Sequence, residues 1–139
     1  MNRLNQNHRI LLVDDEPFYA EALKIGIESE GFVCDRATDM TMAIGFLRRY
    51  QTSVVVTDIM MPPGSDFDSI DSSETGYHLI KMIQATWPAI RIICLSVIGD
   101  QKKIHALKKQ RVQYIRKGEA SLEDTLRIIR RAATGIIRF

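Results

Sequence analysis

The stretch Val54-Val55-Val56-Thr57-Asp58 decides the fold. Four apolar or β-branched residues in a row read as a strand buried on both faces, and the strand ends in a carboxylate. The pattern recurs outward from there. Near the start, Ile10-Leu11-Leu12-Val13 ends in Asp14-Asp15. Further on, Ile90-Arg91-Ile92-Ile93-Cys94-Leu95 ends in Ser96, and a short run through Tyr114-Ile115 ends in Lys117. Strands without alternation suit a parallel sheet covered on both faces. In an open parallel sheet, ligands bind outside the C-terminal ends of the strands. An acidic pair, a lone aspartate, a hydroxyl and an ammonium therefore fall where a site is expected.

Helical periodicity fills the gaps. A first helix starts at Pro17, which suits a first helical turn, with an inward stripe of Tyr19, Ala22, Leu23, Gly26 and Ile27, and stops at Gly31. A short strand over 32–36 and a helix over 39–49 follow, the latter turning Ala43, Ile44 and Leu47 inward. Helices over 75–86, 100–109 and 121–134 follow the third, fourth and fifth strands. Trp87 packs at the end of the 75–86 helix, which stops before Pro88. Ser121 with Asp124 resembles a capping box. Repeated β-then-α units without hairpins predict an α/β fold with helices on both faces of a doubly wound parallel sheet.

Composition narrows the function. A chain of 139 residues, 45% of them hydrophobic, makes one domain. The divisions expected are a polar tail over 1–8, a loop over 62–75 and a tail over 135–139. No stretch approaches the ~20 apolar residues of a membrane span, and residues 1–8 lack a secretory signal, so a cytoplasmic location away from membrane is expected. Cys34 and Cys94 read as buried free thiols. His8, His78 and His105 are scattered and give no zinc spacing. No glycine-rich phosphate motif supports nucleotide binding. The net charge of +2 hides an asymmetry: residues 101–139 carry +8 and residues 1–100 carry −6. The basic part reads either as a solvated helix face or as a surface for an acidic partner.

The strand-end residues suit phosphoryl transfer to Asp58. Carboxylate and phosphoryl group repel each other, and a divalent cation removes that obstacle. Mg²⁺ takes hard oxygen ligands, few of them from protein, and Asp15 and Asp58 on adjacent strands can supply two. Lys117 can neutralise a phosphoryl oxygen and Ser96 can donate to another. Taken singly, each residue has a plainer reading as a cap, a turn residue or a surface cation. Asp14-Asp15 also suits a helix N-terminus electrostatically.

These motifs in this order resemble a response-regulator receiver domain over about residues 8–134. The carriers are Ile-Leu-Leu-Val-Asp14-Asp15-Glu-Pro, Val-Val-Val-Thr-Asp58-Ile-Met-Met-Pro, Ile-Cys-Leu-Ser96 and Tyr114-Ile-Arg-Lys117. The resemblance implies a flavodoxin-like (βα)5 sheet of order 2-1-3-4-5. It also implies that Asp58 accepts a phosphoryl group from a histidine kinase or phosphotransfer protein. Mg²⁺ would be held by Asp15, Asp58 and the Met60 backbone carbonyl, with Asp14 assisting. Ser96 and Lys117 would hold the phosphoryl group, and Ser96 and Tyr114 would move as a switch. The responding face, made by the fourth helix, fifth strand and fifth helix, would meet an output domain or partner. The implied role is the regulatory part of a transcriptional regulator, or a stand-alone receiver acting through protein contacts, without direct nucleic-acid contact by this domain and without enzymatic turnover. Ala-Thr-Trp87-Pro88 and the chain end resemble the nitrate-response regulator subclass. A dehalogenase-like phosphatase would instead need a second Asp where Met60 stands.

Three departures from that pattern carry expectations. The loop after Asp58 is about ten residues longer than a βα connection needs, so residues 64–74 are expected to form a mobile flap with Asp66, Asp68, Asp71 and Glu74 solvated. Gly118 stands where a proline commonly follows the lysine, and a trans Lys117–Gly118 bond is expected because a non-proline cis bond costs about 2.5–4 kcal/mol. Lys109-Gln110-Arg111-Val112 replaces a small-residue turn before the fifth strand. The output surface is expected to be basic, with Lys102, Lys103, Lys108, Lys109, Arg127, Arg130 and Arg131.

Overall fold

The computed structural model describes residues 8–97 and 100–135; the two terminal tails otherwise lie outside the described residues. Five parallel strands run β1 Arg9–Val13, β2 Val33–Ala37, β3 Val54–Thr57, β4 Arg91–Ser96 and β5 Gln113–Arg116. Their order is β2-β1-β3-β4-β5, as expected. The helices are α1 Pro17–Ser29, α2 Met40–Arg49, α3 Thr75–Thr86, α4 Gln101–Lys109 and α5 Leu122–Thr134. Val13 pairs with Ala37 on one side and Thr57 on the other, which sets the ends of β1 and β3 level.

Strand alternation divides the core between two faces. Leu11, Val13, Val55, Ile92 and Cys94 meet α2, α3 and Leu107 of α4. Ile10, Leu12, Val54, Val56, Ile93 and Leu95 meet α1 and α5. α1 and α3 thus cover opposite faces, which makes the C-terminal ends of β1 and β3 the switch point where an open parallel sheet binds ligands. No helix among the described residues is long and apolar enough to cross a membrane.

Local chemistry sets the helix ends. Asp39, Asp100 and Ser121 cap α2, α4 and α5 by accepting from backbone N–H groups. Gly31 follows α1 with φ 96°, the left-handed conformation that favours glycine. One inward stripe differs from expectation. In α1 the buried residues are Ala20, Leu23 and Ile27, while Ala22 is exposed. Two alanines with equal apolarity flank the stripe, and only docking on the sheet chooses between them.

The loop after β3 contains local structure. Ser65–Phe67 form a 3-10 turn, and Phe67 and Ile70 pack against the core. The Asp66 N–H donates to Thr41 Oγ1 at 3.0 Å, and the Thr41 N–H donates to the Pro63 carbonyl at 3.1 Å. In keeping with the expectation of few buried contacts, no residue of 64–74 is fully buried; Phe67 and Ile70 are partly buried, and the hydrogen bonds to Thr41 tie the segment to α2. The Lys117–Gly118 bond is trans, as expected. Gly118 has φ 86°, a conformation proline cannot adopt.

Candidate functional site

The ladder continues one residue past three of the strands, and this places the site. The Asp14 N–H donates to the Ala37 carbonyl (3.0 Å), the Asp58 N–H to the Val13 carbonyl (2.9 Å) and the Lys117 N–H to the Ser96 carbonyl (3.0 Å). The side chains that follow converge above the sheet edge. Lys117 Nζ lies 2.6 Å from Asp14 Oδ2 and 2.9 Å from Asp58 Oδ2. Asp14, Asp15 and Asp58 offer carboxylate oxygens within 4.8 Å of one another. Asp14 and Asp58 are buried and Asp15 is exposed, so the cluster opens toward solvent on the Asp15 side. Three hard oxygen donors this close together fit a hard divalent cation such as Mg²⁺.

The electrostatics are those of charges held by one another. Burial raises the Asp14 pKa above its usual value, and the hydrogen bond from Lys117 only partly offsets it. For Lys117, burial pulls the pKa down, but hydrogen bonds to Asp14 and Asp58 together with their negative charge outweigh it and raise it. Two carboxylates act on a single ammonium and hold its proton. At neutral pH the lysine is a cation between two buried acids.

Of the other expected residues, Ser96 is fully buried at the end of β4. Tyr114 is half-buried, and its hydroxyl donates to the Ser96 carbonyl at 3.2 Å. Met60 follows Asp58 by two residues, with its side chain exposed. Asp66, Asp68, Asp71 and Glu74 are not part of the carboxylate cluster. Glu74 instead pairs with Lys103 of α4 at 2.6 Å. The basic surface is narrower than the sequence suggested. Lys103 is paired, Arg127 binds Asp124 at 2.8 Å, and Arg130 binds Glu30, the residue after α1, at 2.6 Å.

Four contributors escaped the sequence reading. The Glu16 N–H donates to Asp14 Oδ1 at 2.9 Å, and its carboxylate lies 3.4 Å from Lys117. The Tyr19 ring lies 4.9 Å from Lys117 Nζ, within cation–π range. Thr75 Oγ1 donates to the Met61 carbonyl at 2.6 Å. The Gly76 N–H donates to the Ile59 carbonyl at 2.9 Å, with no room for a Cβ against the Asp58 backbone. These last two hold the start of α3 against Asp58 despite the long loop. The only signal in the sequence was a glycine at the start of a helix.

The chain matches the model of the response regulator receiver domain over residues 10–130. It belongs to that family. This receiver domain is 41% identical over 94 residues to the probable transcriptional regulatory protein TcrX of Mycobacterium tuberculosis, covering 66% of the chain and 40% of that protein. It thus spans well under half of that relative's length. A receiver domain protein (CheY-like) of Methanospirillum hungatei JF-1 superposes with a TM-score of 0.77 at 19% identity, covering 92% of this chain and 94% of that one. A response regulator of Burkholderia pseudomallei, solved with a phosphorylated aspartic acid, calcium ion and citrate, superposes with a TM-score of 0.71 at 20% identity. It covers 91% of this chain and 66% of that one. At those identities the two structures show the shared flavodoxin-like fold. The receiver is a signalling module of two-component systems.

Proposed function

We propose that Asp58 is the phosphoacceptor of this receiver and that Mg²⁺ is its cofactor. The observation that carries the reading is the Lys117 ammonium bridging Asp14 and Asp58, with Asp15 completing a carboxylate triad beside them. An Asp58 carboxylate oxygen attacks the phosphorus, and the bond from phosphorus to the donor histidine nitrogen breaks. Asp15, Asp58 and the Met60 carbonyl, with help from Asp14, would hold the cation, which would supply neutralisation of the charge that gathers there. Lys117 Nζ, already 2.9 Å from Asp58, stays with a phosphoryl oxygen, and the Ser96 hydroxyl turns to donate to another. Positioning and charge neutralisation are most of what such a transfer requires. The aspartyl phosphate in the Burkholderia protein supports this reading.

The switch runs through Ser96. If its hydroxyl moves toward the phosphoryl group, the carbonyl that accepts from Tyr114 moves with it, and β5 reports the change to α4 and α5. The donor is a histidine kinase or phosphotransfer protein, for which Phe18, 89% exposed on α1 beside the acidic cluster, offers an apolar contact. The likeness to TcrX, a probable transcriptional regulatory protein, supports a role in transcription regulation, with output taken from the α4–β5–α5 face and a cytoplasmic location. This domain turns over no outside substrate on this reading.

The test is intact-mass measurement after treatment with an acyl phosphate and Mg²⁺. One added phosphoryl group is expected, absent in Asp58→Asn and blocked in Asp15→Ala. Equal labelling of Asp58→Asn would sink the assignment.

A further inference from the structure

At the opposite end of β4 and β5 from Ser96 and Lys117 lies a cleft of about 560 Å³. Its floor is apolar, with Pro88, Ile90, Ile128 and Ala132, and its rim carries Arg91, Arg111 and Arg131. Among the described residues, no carboxylate lines it. Arg91 is fixed there, donating to the Ala132 carbonyl of α5 at 3.1 Å. Among the described residues, neither Arg111 nor Arg131 lies within ion-pair distance of a carboxylate, whereas Arg127 and Arg130 of the same helix are paired. Arg111 also holds φ 65° in the turn that closes α4. That turn normally takes glycine. An arginine there keeps a guanidinium at a backbone cost glycine would avoid, and an outlier of this kind points to use.

We propose that this cleft docks an acidic amphipathic helix of a partner protein, with apolar anchors on the floor and flanking carboxylates on Arg111 and Arg131. The apolar floor sets it apart from a track for a phosphate backbone, which needs cations along its whole length. The open rim sets it apart from a small-molecule pocket: all three arginines and Gln113 are exposed, while ligand pockets enclose most of their ligand. Charge complementarity favours carboxylates, and the cleft is independent of the chemistry at Asp58.

The probe is a fluorescein-labelled helical peptide of about four turns, with leucines on one face and glutamates on its flanks, and a counterpart with lysine for every glutamate. Anisotropy with the full chain should show binding of the glutamate peptide that weakens with salt. Arg131→Ala and Arg111→Gly should each weaken it roughly tenfold. Urea unfolding of Arg111→Gly should be unchanged or shifted upward, because glycine relieves the turn. Amide shifts on titration should fall on Ile90, Ile128 and their neighbours. Equal binding of the lysine peptide, unchanged affinity in both variants, or loss of stability in Arg111→Gly would overturn the proposal. So would contacts from residues 136–139 into the cleft, which would assign it to this chain's own end, or a dimer broken by Arg131→Glu. Unchanged peptide binding in Asp58→Asn is expected, so the two proposals fail separately.

Discussion

Gly76→Ala is expected to destabilise this receiver strongly, against the usual sign of glycine-to-alanine in a helix. In an open helix interior the change stabilises by roughly 0.5–1 kcal/mol, because alanine loses less backbone entropy. At Gly76 a Cβ would overlap the Asp58 carbonyl oxygen, come within 2.5 Å of Ile59 Cα and lie 3.0 Å from the Asp58 carbonyl carbon. All three are backbone atoms of Asp58 and Ile59, so neither side can yield by changing a rotamer. Overpacking of a tight site costs about 1–3 kcal/mol and sometimes more, so a net loss of roughly 1–2 kcal/mol is the minimum expected. That is a sizeable share of the ~5–15 kcal/mol that holds a domain folded.

Two other glycines calibrate the reasoning. Gly45 of α2 is exposed with nothing within 4 Å of a built Cβ, and Gly45→Ala should stabilise by about 0.5–1 kcal/mol. A Cβ at Gly26 of α1 would meet only the end of Leu126, 2.7 Å from its Cδ1. That flexible tip can turn away, so Gly26→Ala should fall between the other two. The assay is equilibrium urea unfolding, read as a midpoint change at constant slope. Displacement of α3 from Asp58 should also slow phosphorylation in Gly76→Ala, read by intact mass. A Gly76→Ala protein as stable as Gly45→Ala would refute the steric account.

Lys117→Met should destabilise the metal-free protein by about 3–5 kcal/mol, since it leaves Asp14 and Asp58 buried without their cation. Its melting temperature should rise more on adding Mg²⁺ than that of the unaltered protein, and an equal rise would argue against the carboxylates holding the cation. Ser121→Ala should cost about 1 kcal/mol in urea unfolding by removing the acceptor 3.0 Å from the Asp124 N–H. Burial pushes the Cys34 and Cys94 thiols up to about 12, so both should resist iodoacetamide near neutral pH in the native state and react in urea. Rapid alkylation of either without denaturant would show that its strand opens.

The fold was legible in the sequence because its signal is local. Runs such as Ile10–Val13 and Val54–Thr57 cannot be placed at a surface, and 3.6-residue periodicity between them leaves few arrangements other than a wound parallel sheet. The site was legible for a related reason. Residues that end parallel strands share one edge, so Asp14, Asp15, Asp58, Ser96 and Lys117 could be brought together without knowing a distance. What the tertiary structure decided depends on contacts between segments far apart in the chain. It buried Ala20 rather than Ala22, because only the sheet distinguishes two alanines on one helix. It anchored a polar loop through Phe67 and Ile70, which a compositional reading averages away. It paired Lys103, Arg127 and Arg130 with acids, two of them outside the helix concerned, and so left a smaller basic surface than the charge count implied. It also put Gly76 against Asp58, eighteen residues apart in sequence. Close packing between distant segments is a property of the assembled chain, and no local pattern encodes which side chains will touch.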